Sequence, residues 1–188
     1  MRRACLTARD AACLLRRGVE ACVDIDYRPA RSEDLEPAAA LITRAVNDLR
    51  VRHGLPPSFT SRPSVLARFC LEQDPDGLWA AEAGGALVGF GFAWVAQRFW
   101  FLAQLFVAPD IQARGIGQAL LSRTLAPEQR RGTQNRALIT FAYNRTSTAL
   151  YIRNGMYPRQ PLYRLAAPAE AVAARLGASA YDLSLIHI

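Results

Sequence analysis

A glycine-containing turn after an apolar strand is the segment of this chain best suited to binding phosphate. Bulky apolar residues run over 99–107, Pro109 ends that strand, and an aliphatic helix begins near Gly115. The first amides of a helix lack partners within it, and the helix dipole adds partial positive charge there. Gly115 and Gly117 would let a ligand approach the backbone closely, and Arg114 would add charge. The spacing predicts a pyrophosphate site.

Two other phosphate-binding motifs do not fit this turn. A dinucleotide fingerprint needs a third glycine where the chain has Leu120, and a P-loop needs a lysine, which the sequence lacks. Gly-x-Gly alone is equally compatible with an ordinary strand–helix connection.

A second segment places Asn144, Tyr151 and Gly155 at intervals of seven and four residues. The glycine is typical of a helix C-terminus. A tyrosine on such a helix is most often a packed core residue, but its phenol can also act as a general acid.

Together the two segments resemble the GNAT N-acetyltransferase superfamily. The string Gln-x-x-Gly-x-Gly at 112–117, after Val-x-Pro, resembles its acetyl-CoA-binding motif, and the Asn–Tyr–Gly spacing resembles its second motif. Met156 departs from the phenylalanine usual in the family, while the opening Tyr-Arg-Pro-Ala at 27–30 is similar to family members. The resemblance covers roughly residues 25–165.

The resemblance implies an α/β (α+β) fold with a mixed, mostly antiparallel central sheet flanked by helices, in which a splayed strand pair holds acetyl-CoA. It implies acetyl transfer from acetyl-CoA to a primary amine of a small molecule or peptide, by direct attack through a tetrahedral intermediate and without a metal. Tyr151 would protonate the departing thiolate. The residues implied to bind acetyl-CoA are Leu105, Phe106, Val107, Gln112, Ala113, Arg114, Gly115, Ile116, Gly117, Gln118, Asn144 and Ser147.

Within that set, the resemblance implies different contacts for each segment. Amides of 112–118 would surround the pyrophosphate, and the backbone of 105–107 would pair with the pantetheine arm. Asn144 would either bond the pantetheine or fix the adjoining loop.

The sequence does not identify the general base. Many relatives carry a carboxylate near the middle of the strand before Val-x-Pro, where this chain has Ala103 and Gln104. Gln104 could orient a water, and a carboxylate from elsewhere, such as Glu82, stays open. The missing carboxylate also leaves open a non-catalytic acyl-CoA-binding or regulatory module.

The acceptor amine is expected between the first helix pair and the aromatic strands, around residues 47–62, Trp94, Phe99 and Trp100. Aromatic residues of this kind are more often part of the core than of a pocket. Arg50, Arg52 and His53 are interpreted as a solvated helix end whose charge disfavours a polycation. A small amine and a peptide amine both stay open.

The elements that must position these motifs alternate along the chain. Ser32 before an acidic turn predicts the start of the first helix, and Gly84-Gly85 predicts a hairpin. The predicted helices span roughly 33–52, 63–73, 115–125 and 146–153, and the predicted strands 27–29, 78–83, 86–96, 99–107, 137–142 and 163–165.

Composition narrows the class of protein. With 51% hydrophobic and 21% charged residues over 188 positions, the chain does not have the composition of an intrinsically disordered protein. No apolar run reaches the ~20 residues of a membrane span. All 23 basic residues are scattered arginines, so the net charge of +7 favours an anionic ligand without predicting nucleic-acid binding. The expected partners are acetyl-CoA and an amine, with a homodimer open.

Cysteine usage bears on the compartment. Cys5, Cys13, Cys22 and Cys70 match no zinc signature and are interpreted as reduced thiols. We therefore expect a cytoplasmic enzyme, and the alanine- and arginine-rich composition suggests a bacterial, GC-rich genome.

The two ends differ in composition from the centre. Residues 1–24 are interpreted as a dispensable leader, 25–165 as the acetyltransferase domain, and 166–182 as an alanine-rich helix that leads towards a missing part. The last six residues, 183–188, match the translation of a sequencing adapter and are excluded from the predicted fold.

Overall fold

A meander of four antiparallel strands, closed on one side by a parallel edge strand, forms the sheet of this protein. The computed structural model describes residues 24–162, 168, 170 and 171. The strands are β1 (Asp26–Pro29), β2 (Leu78–Ala83), β3 (Ala86–Ala96), β4 (Phe99–Val107) and β5 (Asn135–Leu138). The helices are α1 (Leu35–Arg52), α2 (Val65–Gln73), α3 (Ile116–Arg131) and α4 (Arg145–Arg153).

Contacts divide the chain into one unit that ends at Met156 and another that begins at Tyr157, and every element named above belongs to the first. The predicted leader, the predicted strand at 163–165, and nearly all of 166–188 lie outside the described residues. None of the helices in the described ranges is long and apolar enough to cross a membrane.

The predicted mixed, mostly antiparallel sheet flanked by helices is confirmed. Gly84 and Gly85 both have positive φ, 55° and 79°, which is the requirement of the tight turn between β2 and β3. The core cluster on one face joins α1 and α2 to the sheet, while the clusters on the other face join α3 and α4 to it.

The entry into α1 corrects the prediction based on Ser32. That residue lies in a 3₁₀ turn over Ser32–Asp34, and the polar group that organises the turn is Asp34, which is only 5% exposed. Its carboxylate accepts from the Arg31 amide at 2.7 Å and from the Arg28 guanidinium at 2.7 and 2.8 Å. Burial by itself would raise the pKa of Asp34, but these hydrogen bonds outweigh it and lower the pKa below its ordinary value.

A β-bulge ends the pairing between β4 and β5. Phe92 pairs with Gln104 and Ala93 with Leu102, so Ala103 is an extra residue on β4. The parallel ladder with β5 stops at this point, with Leu102 opposite Leu138. β5 therefore spans Asn135–Leu138 rather than the predicted 137–142, because it pairs only where β4 is still straight.

The helix after the turn is also longer than predicted. α3 continues past 125 to Arg131 and ends where Gly132 takes a φ of 62°. A proline lies within it at 127. Proline removes one helical hydrogen bond without forbidding helical backbone.

Glycine on β3 lets α3 pack directly on the sheet. A Cβ built on Gly89 would lie 2.9 Å from Leu120 Cδ1 and 3.2 Å from Ile116 Cγ2. Both of these α3 residues are at most 1% exposed. The glycine thus sets the separation between the sheet and the helix that begins at the predicted phosphate turn.

We expect Gly89→Ala to lower the free energy of unfolding by about 1–2 kcal/mol, since an added methyl in a filled core usually costs about 1–3 kcal/mol. Chemical denaturation of the purified variant measures this loss. Gly117→Ala is the matched control, because a Cβ there meets its nearest atom at an ordinary 3.7 Å. Equal stability of the Gly89→Ala protein and the wild type would contradict the close packing.

Candidate functional site

The turn between β4 and α3 presents backbone amides at a helix N-terminus. After a 3₁₀ turn over Pro109–Ile111, Ala113 has a φ of 66° and Gly115 a φ of 81°. Left-handed residues followed by helical ones direct successive N–H groups to one side, which forms an anion-binding concavity. Ala113, Arg114 and Gly115 are all exposed. The geometry fits a bound anionic group such as a pyrophosphate.

Two further contacts hold this turn. Gln112 Nε2 donates to the Val107 carbonyl at 3.1 Å, which ties the turn to the end of β4. The Ala119 amide donates to the Gly115 carbonyl at 3.0 Å, so α3 is regular from its first turn. Ile116 anchors that start, since its side chain is only 1% exposed.

Gly117 lies in the first turn of α3, next to the end of β4 and to α4. A Cβ on it would lie 3.8 Å from Val107 Cγ2 and 3.7 Å from Leu150 Cδ2, which are ordinary contacts. Its φ is not among the positive values of the described residues. Neither strain nor crowding within the protein therefore requires glycine at this position.

The predicted acetyl-CoA contacts form three groups, each on its own part of the structure. The first group is the end of β4, the second is the turn and the start of α3, and the third is the start of α4. Their members are Leu105, Phe106 and Val107; Gln112, Ala113, Arg114, Gly115, Ile116, Gly117 and Gln118; and Asn144 and Ser147.

The end of β4 is hydrogen-bonded to β3 along one edge and is no longer paired with β5 along the other. Leu105, Phe106 and Val107 pair with β3 through Gly91, Phe90 and Gly89. On the other side the described ladder with β5 ends at Leu102. Backbone groups of 105–107 that face away from β3 are therefore placed to pair with an extended ligand, as an added strand would.

Asn144 forms the N-cap of α4. Its side-chain oxygen accepts from the Ser147 amide at 3.2 Å, and its carbonyl accepts from Thr148 Oγ1 at 3.0 Å. Its own amide donates to the Phe141 carbonyl at 2.9 Å. Of the two roles considered for Asn144, these bonds are those of a residue that fixes its loop.

Tyr151 is a buried phenol on α4, 8% exposed. It packs in one core cluster with Trp100, Leu102 and Leu121. Burial raises the pKa of Tyr151 to about 12, although a hydrogen bond with the Ser147 side chain lowers it. The phenol therefore keeps its proton at neutral pH and is able to donate it.

A pair of side-chain amides that sequence reasoning missed joins the two motifs. Gln118 Nε2 donates to Asn154 Oδ1 at 3.2 Å, and Asn154 Nδ2 donates back to Gln118 Oε1 at 3.1 Å. Asn154 Nδ2 also donates to the Leu150 carbonyl at 2.8 Å. The pair couples the first turn of α3 to the end of the helix that carries Tyr151. No local pattern signals it, because the partners lie far apart in sequence.

The aromatic residues assigned to the acceptor side separate into two groups. Trp100 is fully buried, and its Nε1 donates to the Thr124 carbonyl of α3 at 3.0 Å, so Trp100 belongs to the core and not to the acceptor side. Trp94 instead packs on the face of α1 and α2, with Phe99 and Phe101 at centroid distances of 6.1 and 5.7 Å.

The connection between α1 and α2 is hydrogen-bonded to side chains of α1. Asn47 exchanges two hydrogen bonds of 2.9 Å with the backbone of Phe59, and Thr43 Oγ1 accepts from the Ser61 amide at 2.9 Å. Arg50 Nε donates to the Pro56 carbonyl at 2.7 Å. These hydrogen bonds fix the position of the connection relative to α1.

Glu82 is placed away from the bulge. It lies at the end of β2 next to β1, and its carboxylate accepts from the Arg28 guanidinium that also binds Asp34. Gln104 pairs instead with Phe92, which pairs with Leu78 at the opposite end of β2. The geometry does not support Glu82 as a base at the bulge. Within the described residues, no group of three or more His, Cys, Asp or Glu side chains is placed to hold a metal ion.

Comparison with known proteins identifies relatives of this fold. An uncharacterized N-acetyltransferase of Methanocaldococcus jannaschii is 26% identical over 100 residues, which are 50% of this chain and 44% of that protein. The chain thus matches less than half of that curated relative.

Two solved structures share the fold at low sequence identity. The PaiA N-acetyltransferase of Thermoplasma acidophilum, in complex with coenzyme A, has a TM-score of 0.58 at 17% identity and covers 70% of this chain and 88% of its own. The ribosomal-protein-S18-alanine N-acetyltransferase of Escherichia coli has a TM-score of 0.53 at 21% identity, covering 70% and 77%.

The family assignment rests on a match that contains both motifs. The model of the acetyltransferase (GNAT) family matches residues 43–156, which is more than half of the 188 residues. It includes the phosphate turn and the helix of Tyr151, and it confirms the resemblance drawn from those segments. This chain belongs to the acetyltransferase (GNAT) family.

Proposed function

We propose that this chain transfers an acetyl group from acetyl-CoA to a primary amine of a small molecule or peptide. The observation that carries the proposal is the order of two features along the chain. Beyond the bulge, the edge of β4 has no partner in the described ladder with β5, and the amides of the turn at 112–118 follow directly after this edge. An extended pantetheine arm and a pyrophosphate need these two features, in that order along the chain.

The backbone supplies most of the binding. Amides of 112–118 and the dipole of α3 would hold the pyrophosphate, with Arg114 exposed beside it to add charge. The free edge of 105–107 would pair with the amides of the pantetheine arm. This arrangement would place the thioester near Ala103, where β4 and β5 separate.

Tyr151 is the proposed acid of the reaction. Attack of the amine nitrogen on the thioester carbonyl gives a tetrahedral oxyanion, which backbone N–H groups of β4 beside the thioester would stabilise. Collapse of this intermediate releases the thiolate of CoA. A phenol whose pKa is raised to about 12 stays protonated until that step and would then donate to sulfur.

The relatives support the class of reaction and leave the acceptor open. The Thermoplasma protein was solved with coenzyme A, and the Escherichia coli protein acts on the alanine of a ribosomal protein. Both are similar to this chain at the level of the fold. The acceptor of this chain is therefore proposed only as a primary amine.

We expect thiol release from acetyl-CoA that depends on an added amine. Purified full-length protein is mixed with acetyl-CoA and a panel of alkylamines, aromatic amines, polyamines and peptides, and free thiol is followed with a chromogenic disulfide. Mass spectrometry of the acceptor confirms the added acetyl group. Heat-denatured protein gives the background rate.

A non-catalytic acyl-CoA-binding module is the second candidate, favoured by the lack of a carboxylate at Ala103 and Gln104. It predicts calorimetric binding of CoA without amine-dependent thiol release across the panel. Absence of both CoA binding and thiol release would exclude both candidates.

A further inference from the structure

We propose that His53 accepts the proton of the acceptor ammonium group, in place of the carboxylate that β4 lacks. This inference rests on the proposed acetyl transfer. An amine is protonated near neutral pH and has no lone pair for attack until a base removes one proton. The bulge of β4 offers Ala103 and Gln104, neither of which is a base at neutral pH.

The end of α1 fixes His53 in place. The Gly54 amide donates to the Val51 carbonyl and the Leu55 amide to the Arg50 carbonyl, at 3.0 and 2.9 Å. Together with a φ of 71° at Gly54, this is a Schellman motif with His53 as the C-cap. The backbone that carries the imidazole is therefore hydrogen-bonded on both sides.

A hydrogen bond determines the tautomer of His53. Nδ1 lies 2.9 Å from the carbonyl oxygen of Leu49. A carbonyl only accepts, so Nδ1 carries the hydrogen and the lone pair of the neutral ring lies on Nε2. The side chain is exposed, which allows Nε2 to receive a proton and pass it to water.

An aromatic contact joins His53 at the end of α1 to the segment that follows β5. Its ring centroid lies 4.9 Å from that of Tyr143, which stacks on Phe141 at 5.2 Å. Both tyrosine and phenylalanine belong to the chain that leaves β5, just before Asn144. α1 packs on the same face as Ala103. His53 thus links α1, which packs on the face that carries Ala103, to the segment that leaves β5. In the proposed reaction the amine would enter on this face.

The charged, polar and aromatic groups near His53 come from α1, from the connection after it and from the segment that follows β5. On α1, Arg52 pairs with Asp48 at 2.6 Å, and Arg50 donates to Pro56 and Ser58. Tyr143 faces the ring from the opposite segment. The carboxylate of Asp48 is therefore held by a guanidinium, which leaves Nε2 of His53 as the base of this group.

The proton transfers balance. Nε2 takes one proton from the ammonium group and later releases it to water. The nitrogen lone pair then forms the C–N bond, and the C–S bond breaks with its electron pair left on sulfur. Tyr151 gives its proton to that sulfur and is reprotonated by the second proton lost from nitrogen. The products are the amide, CoA thiol and one proton in water.

The test separates a base from a structural cap by changing the acceptor. His53→Asn keeps an N–H donor close to the position of Nδ1 but has no atom in place of Nε2. We compare kcat/KM for the best aliphatic amine of the panel with kcat/KM for its fluorinated analogue, which is already unprotonated at neutral pH. Arg44→Gln, at an exposed position of the same helix, is the control.

We expect His53→Asn to lower kcat/KM at least 10-fold for the aliphatic amine and less than about threefold for the fluorinated one, as for loss of a general base. CoA affinity by calorimetry and the Arg44→Gln rates should match the wild type. Equal losses for both amines, or no loss, would overturn the proposed role of His53 but not the proposed acetyl transfer. A wild-type protein that acetylates no amine would overturn the proposed function and this inference together.

Discussion

We expect Gly117→Val to weaken acetyl-CoA binding by more than 100-fold, or about 2.7 kcal/mol, while the protein stays folded. The branched side chain would occupy the space through which phosphate oxygens reach the amides at the start of α3. A first Cβ atom at this position fits the protein itself at contacts of 3.7 and 3.8 Å. The loss should therefore fall on the ligand rather than on the fold.

Isothermal calorimetry with CoA measures this effect, with circular dichroism and chemical denaturation as checks on folding. Gly117→Ala provides a graded variant and should lose less affinity. Ala126→Val, at an exposed position of the same helix well beyond its first turn, is the matched β-branched control and should bind as the wild type does. Unchanged affinity in folded Gly117→Val would reject the turn as the pyrophosphate site.

Local signals were sufficient for the elements that lead into this site. The bounds of β2, β3 and β4 follow from the turn residues at 74–77, the Gly84-Gly85 hairpin and Pro109, which act on the chain immediately beside them. The start of α4 and its glycine end were predictable for the same reason. Each is set by residues within one turn of the boundary.

Features set by distant partners escaped the sequence. β5 ends at Leu138 because the bulge at Ala103 turns its partner away, although apolar residues continue beyond it. The start of α1 depends on Arg28 of β1, whose guanidinium donates to the carboxylate of Asp34. The tautomer of His53 depends on its hydrogen bond to the Leu49 carbonyl, and the position of its ring depends on the contact with Tyr143. No rule of sequence spacing predicts either contact.

The core position of Trp100 was predictable from sequence. Successive residues of a strand point to opposite faces, so Phe99 and Trp100 cannot both line one wall. The structure places Trp100 under α3, while Phe99 lies with Trp94. Alternation along β4 already separates the core tryptophan from the aromatic group on the face of α1 and α2.

The second large effect is expected at Tyr151, where Tyr151→Phe should lower kcat about 100-fold and leave the KM for acetyl-CoA within about twofold. The substitution keeps the ring in its cluster with Trp100 and Leu121 and removes only the hydroxyl that Ser147 contacts. The hydroxyl is needed as the C–S bond breaks, so its removal should affect the transition state more than the bound ground state.

Steady-state kinetics on a confirmed acceptor, with acetyl-CoA varied, measures this prediction. Tyr27→Phe is the matched control, because Tyr27 is a partly buried tyrosine of β1 whose ring packs under Arg123 and which lies outside the proposed site. A phenol with its pKa raised to about 12 has a proton to give throughout the neutral range, so the loss in Tyr151→Phe should hold from pH 6 to pH 9. Equal kcat values for the variant and the wild type would mean that thiolate leaves without help from Tyr151, whose buried ring would then serve only to pack α4 against the sheet.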